Sequence, residues 1–194
     1  VRASSRTNPD IHFEIYCQNG RVTRDSYQYD VIENGNVQRR YADEYAILLK
    51  VRLEQAGLGG MNLFVELDHE KAQEVDWYPG MPFDPYLPIV KSLQLYPSME
   101  EVTIETAADC LTGVAKVLTE RGYEFTHLGL YDFSDETGGQ INVDNIPVER
   151  ALEPGLAAYL TELSVWTEEN PDLPKTEEGE DPPYVSYTEK RAPR

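Results

Sequence analysis

Cysteine is nearly missing from this chain of 194 residues: there are only Cys17 and Cys110. With no closely spaced pair, neither a zinc ribbon nor a dithiol redox motif can be built. Cys17 closes a predicted strand and Cys110 falls on the apolar stripe of a predicted helix. Both therefore read as small buried hydrophobes suited to a reducing compartment, with a disulfide between them left open. Histidine is almost as scarce, with only His12, His69 and His127, and no pair has a ligand spacing such as HExxH.

Positive charge is also in short supply. Lys and Arg number 17 against 35 Asp and Glu, for a formal net charge of −18 and a pI near 4.4. Such a field repels phosphate backbones, so direct nucleic-acid binding is not expected, whereas a basic protein surface is steered in. Plainer readings of the same acidity are solubility and a compositional bias of genome or habitat. No run approaches the ~18 apolar residues of a membrane helix, so no membrane partner is expected. The opening VRASSRTNPD has arginines but no apolar stretch behind them, which argues against a secretory leader. The expected location is the cytoplasm, or the inside of a virion or other soluble assembly.

What the chain does have is alternation, turns and aromatics. At 40% hydrophobic residues it suffices for one core, expected over residues 11–169, with a flexible arm at 1–10 and an acidic, Pro- and Glu-rich tail at 170–194. That tail is expected to be disordered unless a partner orders it. Ile11, Phe13, Ile15 and Cys17 alternate with polar residues as a half-buried strand. Asn19-Gly20 then turns the chain. A three-residue loop would set Glu14 against Arg24 and Ile15 against Thr23; a two-residue turn would set Glu14 against Asp25. The first register avoids like charges and is preferred. A strand over 22–32 and a type I′ turn at Asn34-Gly35 would pair Ile32 with Val37 and Asp30 with Arg39. That predicts a three-stranded N-terminal meander.

Further on, a helix is predicted over 42–56, ended by Gly57, and a strand through Leu63, Val65 and Leu67. Another strand is predicted over 89–95. Val102 and Ile104 begin either a short strand or a helix, with Thr106 as its N-cap. Cys110, Leu111, Val114 and Leu118 form that helix's stripe. A strand over 123–133, a loop over 134–140 and a short strand at Ile141 and Val143 come next. Pro154 opens a last helix carrying Leu156, Leu160 and Trp166. The sum is an α+β single domain with a mixed, mostly antiparallel sheet and about three helices.

Catalytic chemistry finds little footing. There is no GxSxG stretch, and a cysteine in mid-helix is normally inert. Gly57-Leu-Gly-Gly60 follows a helix and precedes a strand, the wrong order for a phosphate cradle. The acidic run 132–139 misses the glycine and glutamate positions of a calcium loop. Glu66 and Asp68 beside Phe64 read as solvated surface. The densest polar cluster is Asp68-His69-Glu70. A metal centre from Asp68 and His69 with His12 or His127 is the only metal candidate; the alternative is Asp68 as a helix cap. No cofactor is expected.

The features that favour a binding protein are three. In WYPGMPFDPYLP, Trp77, Tyr78, Met81, Phe83 and Tyr86 stand among prolines, a composition found at interface anchors, although such a loop can also pack onto its own core. Tyr27 and Tyr29 present a tyrosine face on the meander. Tyr184 and Tyr187 form an aromatic patch in the tail. The leading expectation is a non-catalytic protein that binds another, basic protein: an inhibitor or immunity-type protein, a nucleic-acid mimic, or a small component of a larger assembly. An enzyme with a dispersed site, or a metal- or ligand-binding domain around Asp68 and His69, is the alternative.

Overall fold

The computed structural model describes residues 1–132, 139–170 and 182–188. Two sheets share one α+β domain. The first is three-stranded and antiparallel, in the order β1 (Arg2–Ser4), β2 (His12–Gln18), β3 (Arg21–Asp25). The second is five-stranded and mixed, in the order β4 (Met61–Leu67), β5 (Val90–Pro97), β6 (His127–Asp132), β7 (Gln140–Pro147), β8 (Tyr184–Thr188). Three long helices, α1 (Gly35–Gln55), α3 (Ile104–Glu120) and α5 (Leu156–Glu169), accompany two short ones, α2 (His69–Gln73) and α4 (Val148–Leu152), and one π-helical turn, Gln28–Ile32.

The N-terminal sheet differs from the expected meander in composition. Residues read as a flexible arm supply β1, whose Arg2 pairs with Glu14. Asn19 and Gly20 both take left-handed φ values, 53° and 73°, and close a two-residue turn with Gln18 opposite Arg21. That geometry matches the right-handed twist of the strands. The preferred three-residue register is therefore wrong. The alternative register is not kept either, because a bulge at Thr23 sets Tyr16 against Arg24 and Ile15 against Asp25. Like charges are avoided by the bulge, not by a longer loop. The Arg24 guanidinium lies 4.2 Å from the Tyr16 ring centre.

The second Asn-Gly pair makes no hairpin. Asn34 is left-handed at φ 59° and caps α1, which begins seven residues or so earlier than its predicted start at 42. A Cβ on Gly35 would stand 2.8 Å from the Tyr29 carbonyl oxygen, so glycine allows the helix start to press against the preceding turn. Tyr27 and Tyr29 consequently lie in and before the π-helical turn rather than on a strand. Asp30 and Arg39 do form an ion pair, through this turn and not across a ladder.

The core lies between one face of the five-stranded sheet and the helices. Leu93, Leu95, Leu128, Leu130, Ile141, Val143 and Val185 point from the sheet toward Leu49, Leu53, Leu111, Leu118 and Leu160 of the helices. Each fully buried aliphatic side chain contributes about 1.5–3 kcal/mol. β5 and β6 run parallel, and α3 supplies the crossover that such a pair requires. The cap of α3 is Thr103, not Thr106: Thr103 accepts from the Thr106 backbone N–H, and the Thr106 hydroxyl accepts from the Thr103 N–H in return. Val102 and Ile104 thus lead into a helix. The strand expected over 123–133 is confined to β6.

The segment read as a tail contains β8, which pairs antiparallel with β7 and sets Val185 opposite Val143. Residues 171–181 and 189–194 of that reading lie outside the described residues, as do 133–138 of the predicted strand and loop. Cys17 is exposed, against the buried reading, at an end of β2 where its partner strand β3 is exposed along its whole length. Both cysteines are free thiols.

Candidate functional site

A β-strand sends alternate side chains to opposite faces. One face of the five-stranded sheet is apolar and takes the helices. The other carries a different set, arranged in cross-strand rows by the register. Phe64, Gln94 and Gly129 stand side by side on β4, β5 and β6, with Asp144 opposite Tyr184 on the neighbouring pair. A second row runs Asn62, Tyr96, then Tyr131, Asn142 and Ser186. Glu66, Ser92 and His127 make a third.

Phe64 and Tyr96 are 58% and 42% exposed on this face. Tyr96 stacks on Tyr131 at 5.4 Å between ring centres and 19° between planes. The Ser92 hydroxyl donates to Glu66 at 2.7 Å. Asp144 is the polar centre. Its Oδ1 accepts from Gln94 Nε2 at 3.3 Å and from the Asn145 backbone N–H at 2.9 Å, and the Tyr131 hydroxyl also donates to this carboxylate. Asn145 takes a left-handed φ of 58° at the bulge in β7, which turns that N–H back toward Asp144. Asn142 Nδ2 donates to the Tyr184 hydroxyl.

Burial, followed by the hydrogen bond to Asp144 and its charge, pushes the Tyr131 phenol far above its ordinary range. Burial, then the Asp144 charge, also raises Tyr184. Both are neutral hydroxyls at physiological pH. Among the described residues two buried side-chain acceptors, Gln94 Oε1 and Asn142 Oδ1, have no hydrogen-bond partner. An unpaired buried polar atom costs about 1–3 kcal/mol, so the face carries unsatisfied hydrogen-bonding capacity of one kind, for donors. Gly129 is what lets the amide and the carboxylate crowd together here, since a Cβ on it would meet Gln94 Oε1 at 2.2 Å and Asp144 Oδ1 at 3.0 Å.

No protein-family model, curated protein or solved structure matches this chain. The site must therefore be read from its own chemistry.

The residues singled out in the sequence are distributed over several places. Trp77 is buried, its Nε1 donating to the Ala72 carbonyl at 2.7 Å, and its ring meets Tyr41 edge-on. Phe83 packs between Tyr41 and Tyr45, and Met81 is half-buried against the core. Tyr78 and Tyr86 are at the surface, where Tyr86 stacks on Tyr123. The Pro-rich loop is held from below: the Tyr45 hydroxyl donates to the Pro85 and Leu87 carbonyls at 2.6 and 3.0 Å. Tyr27 meets Phe13 edge-on, and Tyr29 lines a cleft of about 360 Å³ together with Glu33, Gln38, His69 and Gln73. Tyr184 stands on the open sheet face. Tyr187 points the other way and donates to the Val102 carbonyl.

The proposed metal ligands have separate duties. Asp68 caps α2, accepting from the Glu70 and Lys71 N–H groups at 3.1 Å each. His69 contacts Gln73 on the same short helix, His12 Nδ1 contacts the Pro9 carbonyl, and His127 Nδ1 lies 2.9 Å from the Thr126 hydroxyl. Among the described residues no three His, Cys, Asp or Glu side chains converge as metal ligands. Burial pushes the Cys110 thiol up to about 11, so it is protonated at neutral pH and a poor nucleophile. Among the described residues no helix is long and apolar enough to cross a membrane.

Sequence reasoning noticed Phe64 and Glu66 but missed Gln94, Tyr96, Tyr131, Asn142 and Asp144. Their signal is a polar or aromatic residue at every second position of β5 and β7, and on either side of Gly129 in β6, which becomes one surface only after the strands are put in register.

Proposed function

We propose that this is a non-catalytic interaction protein that docks a basic partner protein on the open face of its five-stranded sheet. The observation that carries the reading is the pairing of exposed aromatics, Phe64 and Tyr96, with buried acceptor oxygens that lack donors on the same face. Aromatic side chains are enriched among the few residues that dominate binding energy at protein interfaces, and a surface short of donors selects a partner rich in them. The charged side chains of the described rows are acidic, Glu66 and Asp144, which agrees in sign with the net charge of −18. An inhibitor or immunity-type role, nucleic-acid mimicry and a place in a larger assembly each fit this reading.

The test is recovery of a stoichiometric partner from host lysate. The Phe64→Asp, Tyr96→Asp double variant is expected to lose that partner, while Tyr86→Asp, on the Pro-rich loop, keeps it. Equal recovery by all three proteins would overturn the choice of face. Loss only with Tyr86→Asp would move the interface to the loop.

A further inference from the structure

We infer that the partner's anchor on this face is an arginine side chain, laid over the Gln94–Asp144 pair beside Tyr96, an inference that rests on the docking reading above. The accounting of donors and acceptors leads there. Asp144 already receives Gln94, Asn145 and Tyr131, yet Gln94 Oε1 and Asn142 Oδ1 receive nothing. What the cluster lacks is N–H groups, several at once and with positive charge to answer the carboxylate. A guanidinium brings five donors, no acceptor and a permanent charge.

The planarity of a guanidinium also suits this face. Tyr96 is stacked with Tyr131 at one side of the cluster, and Phe64 is directly opposite Gln94 on the edge strand. A guanidinium stacks on such rings while its edge reaches the amide and carboxylate oxygens. A lysine ammonium is more strongly hydrated and has three donors on one atom, so it cannot span two amide oxygens and a carboxylate in the same way. Both orphan oxygens are closed off from solvent as they stand, so an incoming donor reaches them by rotation of each amide about its terminal torsion, which gives up the bonds from Gln94 Nε2 to Asp144 and from Asn142 Nδ2 to the Tyr184 hydroxyl. The guanidinium answers the oxygens so turned and takes the place of Gln94 on the Asp144 carboxylate.

The experiment is a titration of the ¹⁵N-labelled full chain with a Gly-Ser peptide carrying one arginine, and with its lysine and citrulline counterparts. The arginine peptide is expected to shift the side-chain amide resonances of Gln94 and Asn142 and the backbone amide of Gly129. It should bind at least fivefold more tightly than the lysine peptide and about tenfold more tightly than citrulline, which keeps the shape and loses the charge. Asp144→Asn should weaken it about tenfold, and Phe64→Ala, at an exposed position, at least threefold. Equal binding of arginine and lysine peptides, shifts spread over the acidic surface, or no shifts on this face would overturn the inference. So would concentration-dependent shifts at the same amides without peptide, which would put a second copy of the chain there. If the peptide fails but Phe64→Asp, Tyr96→Asp still loses its partner, arginine falls and the docking face stands.

Discussion

Asp10 and Arg40, 30 residues apart, meet in a two-pronged ion pair: Arg40 Nε and Nη2 donate to the two Asp10 carboxylate oxygens at 2.8 and 3.2 Å. Asp10 is buried and also accepts from the Gly80 N–H, while Arg40 donates to the Met81 carbonyl and to Glu44. The N-terminal segment, α1 and the Pro-rich loop are thus tied at one point. Burial by itself would raise the Asp10 carboxyl; the Arg40 hydrogen bonds, the Gly80 N–H and the Arg40 charge outweigh it and hold the group below its ordinary value. A depressed folded-state value contributes stability above the ordinary carboxylate range and loses it as pH falls through the folded value. Denaturant unfolding is therefore expected to show stability falling below about pH 4. Arg40→Met should cost about 3 kcal/mol at pH 7, because it leaves a buried carboxylate uncompensated, and should flatten the acid-side slope.

Tyr45→Phe removes one hydroxyl that answers two loop carbonyls, Pro85 and Leu87. A loss of about 1–2 kcal/mol is expected. Hydrogen exchange should accelerate at the amides of Tyr86 and Leu87 while those of β5 keep their protection. Unchanged exchange would mean that ring packing on Phe83 alone holds the loop.

Gly129→Ala introduces a methyl where Gln94 and Asp144 already stand. Overpacking of this kind costs about 1–3 kcal/mol. The Gln94 side-chain amide is expected to move away from Asp144 in a structure of the variant, and the Tyr131 phenol to lose part of its upward shift in a spectroscopic pH titration. Retention of both would show that the crowding is slack.

None of the buried hydrophobic residues comes from the three-stranded sheet; the first in chain order is Val37. Such an element opens locally at small free energy. Amide protection in β2 and β3 is expected to be far lower than in β5 and β6. Gly20→Ala, at φ 73°, should lower it further with little change in the global unfolding midpoint.

The two thiols should separate cleanly. Cys17 is exposed, whereas Cys110 is half-buried with its thiol pushed up to about 11. At pH 8 iodoacetamide is expected to modify one cysteine per native chain, identified as Cys17 by mass spectrometry, and two after denaturation.

Strands β4 to β7 and the bodies of the three long helices were legible because each is announced by a local period, although Ile47 and Val51, counted toward a largely buried α1, are exposed. Leu63, Val65 and Leu67 alternate, and Leu111, Val114 and Leu118 recur at helical spacing. The two Asn-Gly pairs show where local reading stops. Both asparagines take the same left-handed conformation, one in a hairpin and one at a helix start. What separates them is tertiary: Gly35 presses on the Tyr29 carbonyl, and the buried Asn36 donates to the carbonyls of Asp10 and His12. β8 was hidden for a related reason, since Tyr184, Val185 and Tyr187 look like a patch in a polar tail until β7 is there to pair them. The open face required both steps, first the strands and then their register, so Asp144 gave no sign of being its centre.

β8 fills the edge of the sheet from a point far along the chain. During synthesis, every other strand is available before residues 184–188 leave the ribosome, and β7 meanwhile offers an unpaired edge with Val143 and Ile141 unshielded by Val185 and Tyr187. An edge of that kind is a template for pairing with other chains. Nascent protein stalled before residue 184 should therefore be held by chaperones and aggregate more readily than the full chain, in which β7 is paired and the short β8 takes over the edge.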